Sequence, residues 1–357
     1  MAKKLMKGNE AMAEAAVRAG CRYFFGYPIT PQSEIPEYLS MRFPEVGGCY
    51  LQAESEISAI NMVYGAAGAG ARVMTSSSSP GISLKQEGIS YIAASELPAV
   101  IINVMRGGPG LGSIQASQGD YFQATKGGGH GDYHMIVYAP ASVQEAIDTI
   151  YGAFDVADQY RLPVMILADG ITGQMMESVE LPEMKEYVVD PVKKPYAALG
   201  YNRNDPPEKR HLINSLYIET SELTELNKRL QAQYRLIEEN EIRYEAYRTE
   251  NAEVLVCAYG IVARICKAAI DDLAQEGVQA GLIRPITLWP FPKQAIAEAA
   301  ATVKGVLTVE ISAGQLVEDV RLAVNGVRPV EFLGHPGSLL PATEDIKALI
   351  RRIAGRE

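Results

Sequence analysis

The sequence predicts an α/β protein in two parts, a larger parallel-sheet unit followed by a smaller one. Two observations carry this. Helical patterns alternate with short apolar runs rich in Val, Ile and aromatic residues, and a proline-rich stretch without period separates two such series. In chain order the first series pairs "GNEAMAEAAVRAG" with "CRYFFGYPI", "ISAINMVYGAAGAGA" with "RVMTSSS", "GISYIAASEL" with "PAVIINVM", and "VQEAIDTIYGAFDVADQY" with "LPVMILAD". Repeated helix and strand units of this kind predict a parallel sheet covered on both faces. This unit is assigned to residues 1–185.

Residues 186–250 are read as a proline-rich arm and helical linker. "VDPVKKPYAALGYNRNDPPEKRH" is charged and aperiodic, which predicts a loop laid across a surface. From Thr220 to Arg248, Leu223, Leu226, Leu230 and Tyr234 fall on one helical face, which predicts a helix packed on its parent domain. Residues 251–357 restart the α/β pattern, with "EVLVCAYG" and "GVLTVEIS" as strands and "IVARICKAAIDDLAQEG" and "GQLVEDVRLAVNG" as helices. "RPITLWPFP" is read as punctuation within that smaller unit.

Composition narrows the function classes. The 357 residues are 47% apolar and 21% charged with a net charge of −10, as in a well-folded acidic protein without a basic face for nucleic acid. The longest apolar runs are of strand length, short of the roughly 20 residues a membrane-spanning helix needs. The N-terminal "MAKKLMKGNEAMAEAA" lacks the apolar core of a signal peptide, so a cytoplasmic location is expected. Cys21, Cys49, Cys257 and Cys266 form no CxxC pair and are expected as buried free thiols.

Several stretches could carry chemistry. "GAAGAGA" (65–71) follows a helical pattern and precedes a strand, the reverse of a dinucleotide fingerprint, and no GxxxxGK[ST] phosphate loop occurs. "INVMRGGPGLG" ends a predicted strand in Arg106, where a guanidinium can grip a carboxylate; a structural pairing with a carboxylate such as Glu54 fits the same pattern. "FFGYPITPQSEIPEY" presents Thr30 at a strand end before a helix, as an anion contact or simply a cap. "ATKGGGHGDYH" holds His130 among glycines, in a loop open to solvent or to a ligand.

In "YLQAESEISAINMVYGAAGAGARVMTSSSSPGISL", Glu54 and Glu56 stand at the threshold of a small-residue helix. Together with "GYPITP", "SSSSPGISLKQEGI", "RGGPGLG" and "SQGDYFQATKGGGHGD", the stretch resembles the thiamine-diphosphate-dependent 2-oxoacid:ferredoxin oxidoreductases over essentially the whole chain. The chain is similar to the subunit with a thiamine-diphosphate-binding-type pyrimidine domain followed by a transketolase C-terminal-like domain. The serine run and "GPGLG" look closer to the branched-chain subgroup, typified by 2-oxoisovalerate (3-methyl-2-oxobutanoate), than to enzymes of 2-oxoglutarate, which often have glycine where Ser79 stands.

The resemblance implies that Glu56 is the catalytic acid bonded to N1′ of the cofactor's aminopyrimidine, and that Glu54 is a structural neighbour. Thr30 and Arg106 are implied as substrate contacts, with His130 in a nearby loop. Pro28, Ile29, Ser78, Pro80 and Gly81 are implied to lie beside the cofactor. A GDG motif for diphosphate and magnesium and a cluster-binding cysteine set are missing from this sequence. The resemblance therefore implies a partner subunit holding the diphosphate, Mg2+ and at least one [4Fe-4S] cluster, and further small subunits including a ferredoxin-like one. Coenzyme A and ferredoxin would be co-substrates. A transketolase-like carbon-carbon ligase shares both domain types and is the rival reading.

Overall fold

The computed structural model describes residues 3–200 and 211–356. In the first half the elements run β1 (Lys4–Lys7), α1 (Gly8–Arg18), β2 (Tyr23–Gly26), α2 (Glu34–Glu45), β3 (Cys49–Gln52), α3 (Glu56–Gly68), β4 (Val73–Ser77) and α4 (Pro80–Ala94). They continue with β5 (Ala99–Met105), α5 (Tyr121–Thr125), β6 (Ile136–Tyr138), α6 (Val143–Tyr160), β7 (Pro163–Asp169), α7 (Gly170–Gln174) and β8 (Met176–Val179). Every residue of β4, β5 and β7 is buried, because helices cover both faces of the sheet they build. The alanines of α1 let it sit deep between α2 and α6.

The arm lies across this unit where it is described: Ala198 donates its N–H to the Gly68 carbonyl at 2.9 Å, and Tyr187 lies under the Arg72 guanidinium. Residues 201–210 of the predicted arm fall outside the described residues. In α8 (Thr220–Asn240), Leu226, Leu230, Tyr234 and Ile237 are buried against the parent unit, while Leu223 is exposed. The helix predicted to reach Arg248 ends at Asn240. Beyond it, alternately exposed residues form the edge strand β9 (Tyr244–Tyr247), since aromatic "YEAY" suits a half-covered strand.

The rest of the chain comprises β10 (Val254–Cys257), α9 (Gly260–Gln275), β11 (Ala280–Pro285), β12 (Thr287–Trp289), α10 (Lys293–Thr302), β13 (Gly305–Glu310), α11 (Leu316–Val324), β14 (Val330–Gly334) and α12 (Thr343–Ala354). Five strands form the sheet β14-β13-β10-β11-β9, parallel except for β9. The surprise is β12, read from sequence as punctuation. It pairs antiparallel with β6 and completes a seven-stranded sheet of order β12-β6-β7-β5-β4-β2-β3. Trp289 explains the crossing: its ring stacks on His134 at 4.5 Å and meets Tyr234 of α8 edge-on at 5.5 Å.

Polar staples join the halves. Gln118 donates its backbone N–H to the Ile311 carbonyl at 2.9 Å and accepts the Ile311 N–H on Oε1 at 3.0 Å. Buried Tyr121 donates to Asp319 at 2.6 Å. Three cysteines are buried as predicted, whereas Cys49 is exposed because β3 is the open edge of the large sheet.

Candidate active site

The carboxyl ends of β2, β4 and β5 converge on one turn. Arg106, the residue after β5, is buried and forms an isolated bridge with Ala116. Its Nη1 donates to the Thr30 carbonyl at 2.9 Å and its Nη2 to the Leu111 carbonyl at 2.7 Å. Its Nε is buried and unpartnered among the described residues. Glu54 is not its partner. That side chain is exposed and accepts the hydroxyls of Ser55 and Ser58, which hold its carboxyl below the usual range. A buried guanidinium held only by carbonyl dipoles keeps an uncompensated charge, which suits an incoming carboxylate.

Ser79 sits in the same turn at φ 25°, a left-handed conformation costly for a side chain with a Cβ. Hydrogen bonds hold it there. Its N–H donates to Asn103 Oδ1 at 3.0 Å, and its hydroxyl donates to Asp120 at 2.6 Å while accepting the Arg106 N–H at 3.0 Å. Asn103 donates to the same Asp120 oxygen at 2.9 Å. Burial pushes the Asp120 carboxyl up, and the Ser79 and Asn103 donors oppose that shift. The predicted contact residue Arg106 is thus braced by Asn103 and Asp120, which the sequence reading did not single out.

Glu56 opens α3, whose N-cap Ser55 accepts the Ser58 N–H at 3.2 Å. Its side chain is buried, and its carboxylate takes no hydrogen bond or ion pair among the described residues. It faces Gly81. A Cβ there would lie 2.8 Å from Glu56 Oε1 and 2.1 Å from Ser77 Oγ, so only glycine lets the first turn of α4 approach this closely. The hydroxyls of Ser77 and Ser78 are buried without partners among the described residues, and Gly81 donates its N–H to the Ser78 carbonyl at 2.8 Å. Pro80 is half-buried at the start of α4, where its fixed φ suits the first helical turn.

The other predicted residues are less enclosed. Pro28 and Thr30 are exposed and Ile29 half-buried on the segment after β2, beside a cleft of about 530 Å³ lined by Thr30, Pro31, Gln115, Ala116 and Gln174. His130 stands exposed on the glycine-rich loop after α5. Lys85 was missed by sequence reading. The available signal was its place in the apolar spacing Ile82, Lys85, Ile89, Ile92, all of which are buried on α4.

Residues 14–246 match the family model described as pyruvate flavodoxin/ferredoxin oxidoreductase, thiamine diphosphate-binding, and residues 252–346 match pyruvate:ferredoxin oxidoreductase core domain II. The chain belongs to this thiamine-diphosphate-dependent family of 2-oxoacid oxidoreductases. It is 50% identical over 356 residues to the ketoisovalerate oxidoreductase subunit VorB of Methanothermobacter marburgensis, covering 99% of each chain. It is 39% identical over 342 residues to the 2-oxoglutarate synthase subunit KorA of Archaeoglobus fulgidus, covering 94% of this chain and 95% of that one. Its fold matches the 2-oxoglutarate:ferredoxin oxidoreductase of Magnetococcus marinus, solved with 2-oxoglutarate, coenzyme A and succinyl-CoA bound, with a TM-score of 0.85 at 24% identity. That match covers 99% of this chain and 65% of the other. Among the described residues, no helix is long and apolar enough to cross a membrane.

The residues present fit the aminopyrimidine end of thiamine diphosphate. The unpartnered carboxyl of Glu56, a residue 7% exposed, faces a glycine whose missing side chain leaves room, with two unpartnered buried hydroxyls beside it.

Proposed function

We propose that this chain is the pyrimidine-binding subunit of a cytoplasmic branched-chain 2-oxoacid:ferredoxin oxidoreductase, which converts a substrate such as 3-methyl-2-oxobutanoate, with coenzyme A, to acyl-CoA and CO2. In this reading residues 1–185 supply the site and 251–357 serve assembly. A partner subunit holds the diphosphate, Mg2+ and a [4Fe-4S] cluster, further small subunits including a ferredoxin-like one complete the complex, and ferredoxin takes the electrons. The observation that carries it is a buried acid and a buried cation near one turn, Glu56 and Arg106, neither neutralised by an ion pair among the described residues. The end-to-end identity of 50% to a ketoisovalerate enzyme subunit favours the branched-chain substrate.

Glu56 and the turn from Ser77 to Gly81 would hold the aminopyrimidine end of thiamine diphosphate, which would supply a carbon nucleophile for a 2-oxo group and an electron sink for the charge left by CO2. Glu56 shares a proton with N1′, its oxygens being free of any other donor among the described residues. Arg106 receives the substrate carboxylate, with its head fixed by the carbonyls of Thr30 and Leu111. The Thr30 hydroxyl, at the exposed strand end, contacts the oxo oxygen. Pro28, Ile29, Ser78, Pro80 and Gly81 shape the wall beside the pyrimidine, and His130 reaches the substrate from its loop.

The test is reduction of a low-potential dye by the purified assembly. Reduction requiring both 3-methyl-2-oxobutanoate and coenzyme A, with a higher kcat/KM than 2-oxoglutarate, supports the proposal. Preference for 2-oxoglutarate overturns the substrate, and ketol transfer without dye reduction overturns the reaction.

A further inference from the structure

Glu56 and Arg106 are not the only charged groups withdrawn from water at this turn. Lys85 is fully buried, on the inward stripe of α4 between Ile82 and Ile89. Its Nζ donates to Thr75 Oγ1 at 2.8 Å and to the Ser76 carbonyl at 3.4 Å, both uncharged. Gly81 stands one helical turn before it on the same face, and the Gly81 face is the one that meets Glu56 Oε1.

At the turn that opens α4, Asp120 is engaged by Ser79 and Asn103, and Arg106 by the carbonyls of Thr30 and Leu111. α3 brings Glu56, and β4 brings only hydroxyls and carbonyls. Asp169 of β7 is engaged by the N–H groups of Thr172 and Ile261. Burial pushes the Lys85 ammonium down to about 7, and the charge of Glu56 opposes the shift.

We propose that Lys85 is a positioning residue for Glu56, a buried countercharge that favours the ionised carboxylate from a distance and leaves its oxygens free of a direct ion pair. This rests on the reading of Glu56 given above. A carboxylate forked onto a lysine would have its lone pairs occupied and could not accept a hydrogen bond from a ligand. An ammonium held on Thr75 and Ser76, and not on the carboxylate, acts through its field alone, which is strong where water is excluded.

The experiment compares Lys85→Met, close in size and uncharged, with Glu56→Gln and the unaltered chain. In the assembled complex, Lys85→Met should shift the acid limb of the kcat/KM profile to higher pH, a change that loss of folded protein alone would not produce. A second readout uses the full chain without cofactor, unfolded by heat across pH. A lysine whose folded pKa lies below its unfolded value contributes full stability above 10.5 and loses it progressively as pH falls toward about 7. Lys85→Met should abolish that part of the slope, and Glu56→Gln should extend it to lower pH because the opposing charge is gone.

An unmoved acid limb in Lys85→Met, or a lysine-dependent slope unchanged by Glu56→Gln, overturns the proposal while an inactive Glu56→Gln leaves the reading of Glu56 standing. A fully active Glu56→Gln complex overturns both.

Discussion

Arg106 donates to the backbone carbonyl of Thr30 at 2.9 Å, so the residue after β5 fixes the end of the segment leaving β2. The bond uses the main chain of Thr30 and leaves its hydroxyl free. One ion thereby sets the spacing of the two residues proposed to contact the substrate. Arg106→Lys should raise KM and lower kcat/KM by about 100-fold, since an ammonium cannot span both carbonyls and an incoming carboxylate. Steady-state kinetics of the complex checks this.

Glu56→Gln keeps the shape of the side chain and removes its acid. Turnover should fall by at least about 100-fold while the chain stays folded at the assay pH, because no hydrogen bond or ion pair within the described residues depends on the carboxylate, and the melting curve shifts only as far as Lys85 loses a distant countercharge. Dye reduction and a melting curve measure the two halves of this expectation.

Ser79 separates two effects. Ser79→Ala keeps the strained backbone and strips the hydroxyl that serves Asp120 and the Arg106 N–H, so it should destabilise by about 1–3 kcal/mol. Ser79→Gly loses the same bonds but relieves the positive φ, and should be the milder change. Denaturant unfolding of both variants ranks them.

His134 gives the chain an acid sensitivity at the junction of its halves. Stacked on Trp289 and desolvated, its imidazole has a folded pKa lowered from 6.5. Folding favours the neutral ring, so this contribution is complete above the unfolded value and is lost as pH falls below 6.5 toward the lowered folded value. His134→Phe should flatten the melting-temperature profile in that window. An unchanged profile would dismiss the histidine as its source.

Much of the α/β pattern was legible because β5 and β7 are covered on both faces, which forces apolar runs no loop would carry. β3 escaped notice because "CYLQ" lies at an edge with little burial. β12 escaped because three residues fix no period and Trp289 finds its partners in distant α8 and the segment before β6. At the site, Glu56 was legible from its place at the head of a small-residue helix, and Arg106 from its place at a strand end. The brace of Ser79, Asn103 and Asp120 depends on contacts between separate segments that local spacing does not encode.

The borrowed strand sets an order of events during synthesis. Until Trp289 has left the ribosome, β6 is an open, wholly buried-type apolar border on an otherwise finished sheet. Such a border invites pairing with any neighbouring nascent chain. Premature termination before that tryptophan would thus yield a sticky fragment, and fusion or splitting of the gene between Cys257 and Thr287 would leave the larger half dependent on the smaller for closure.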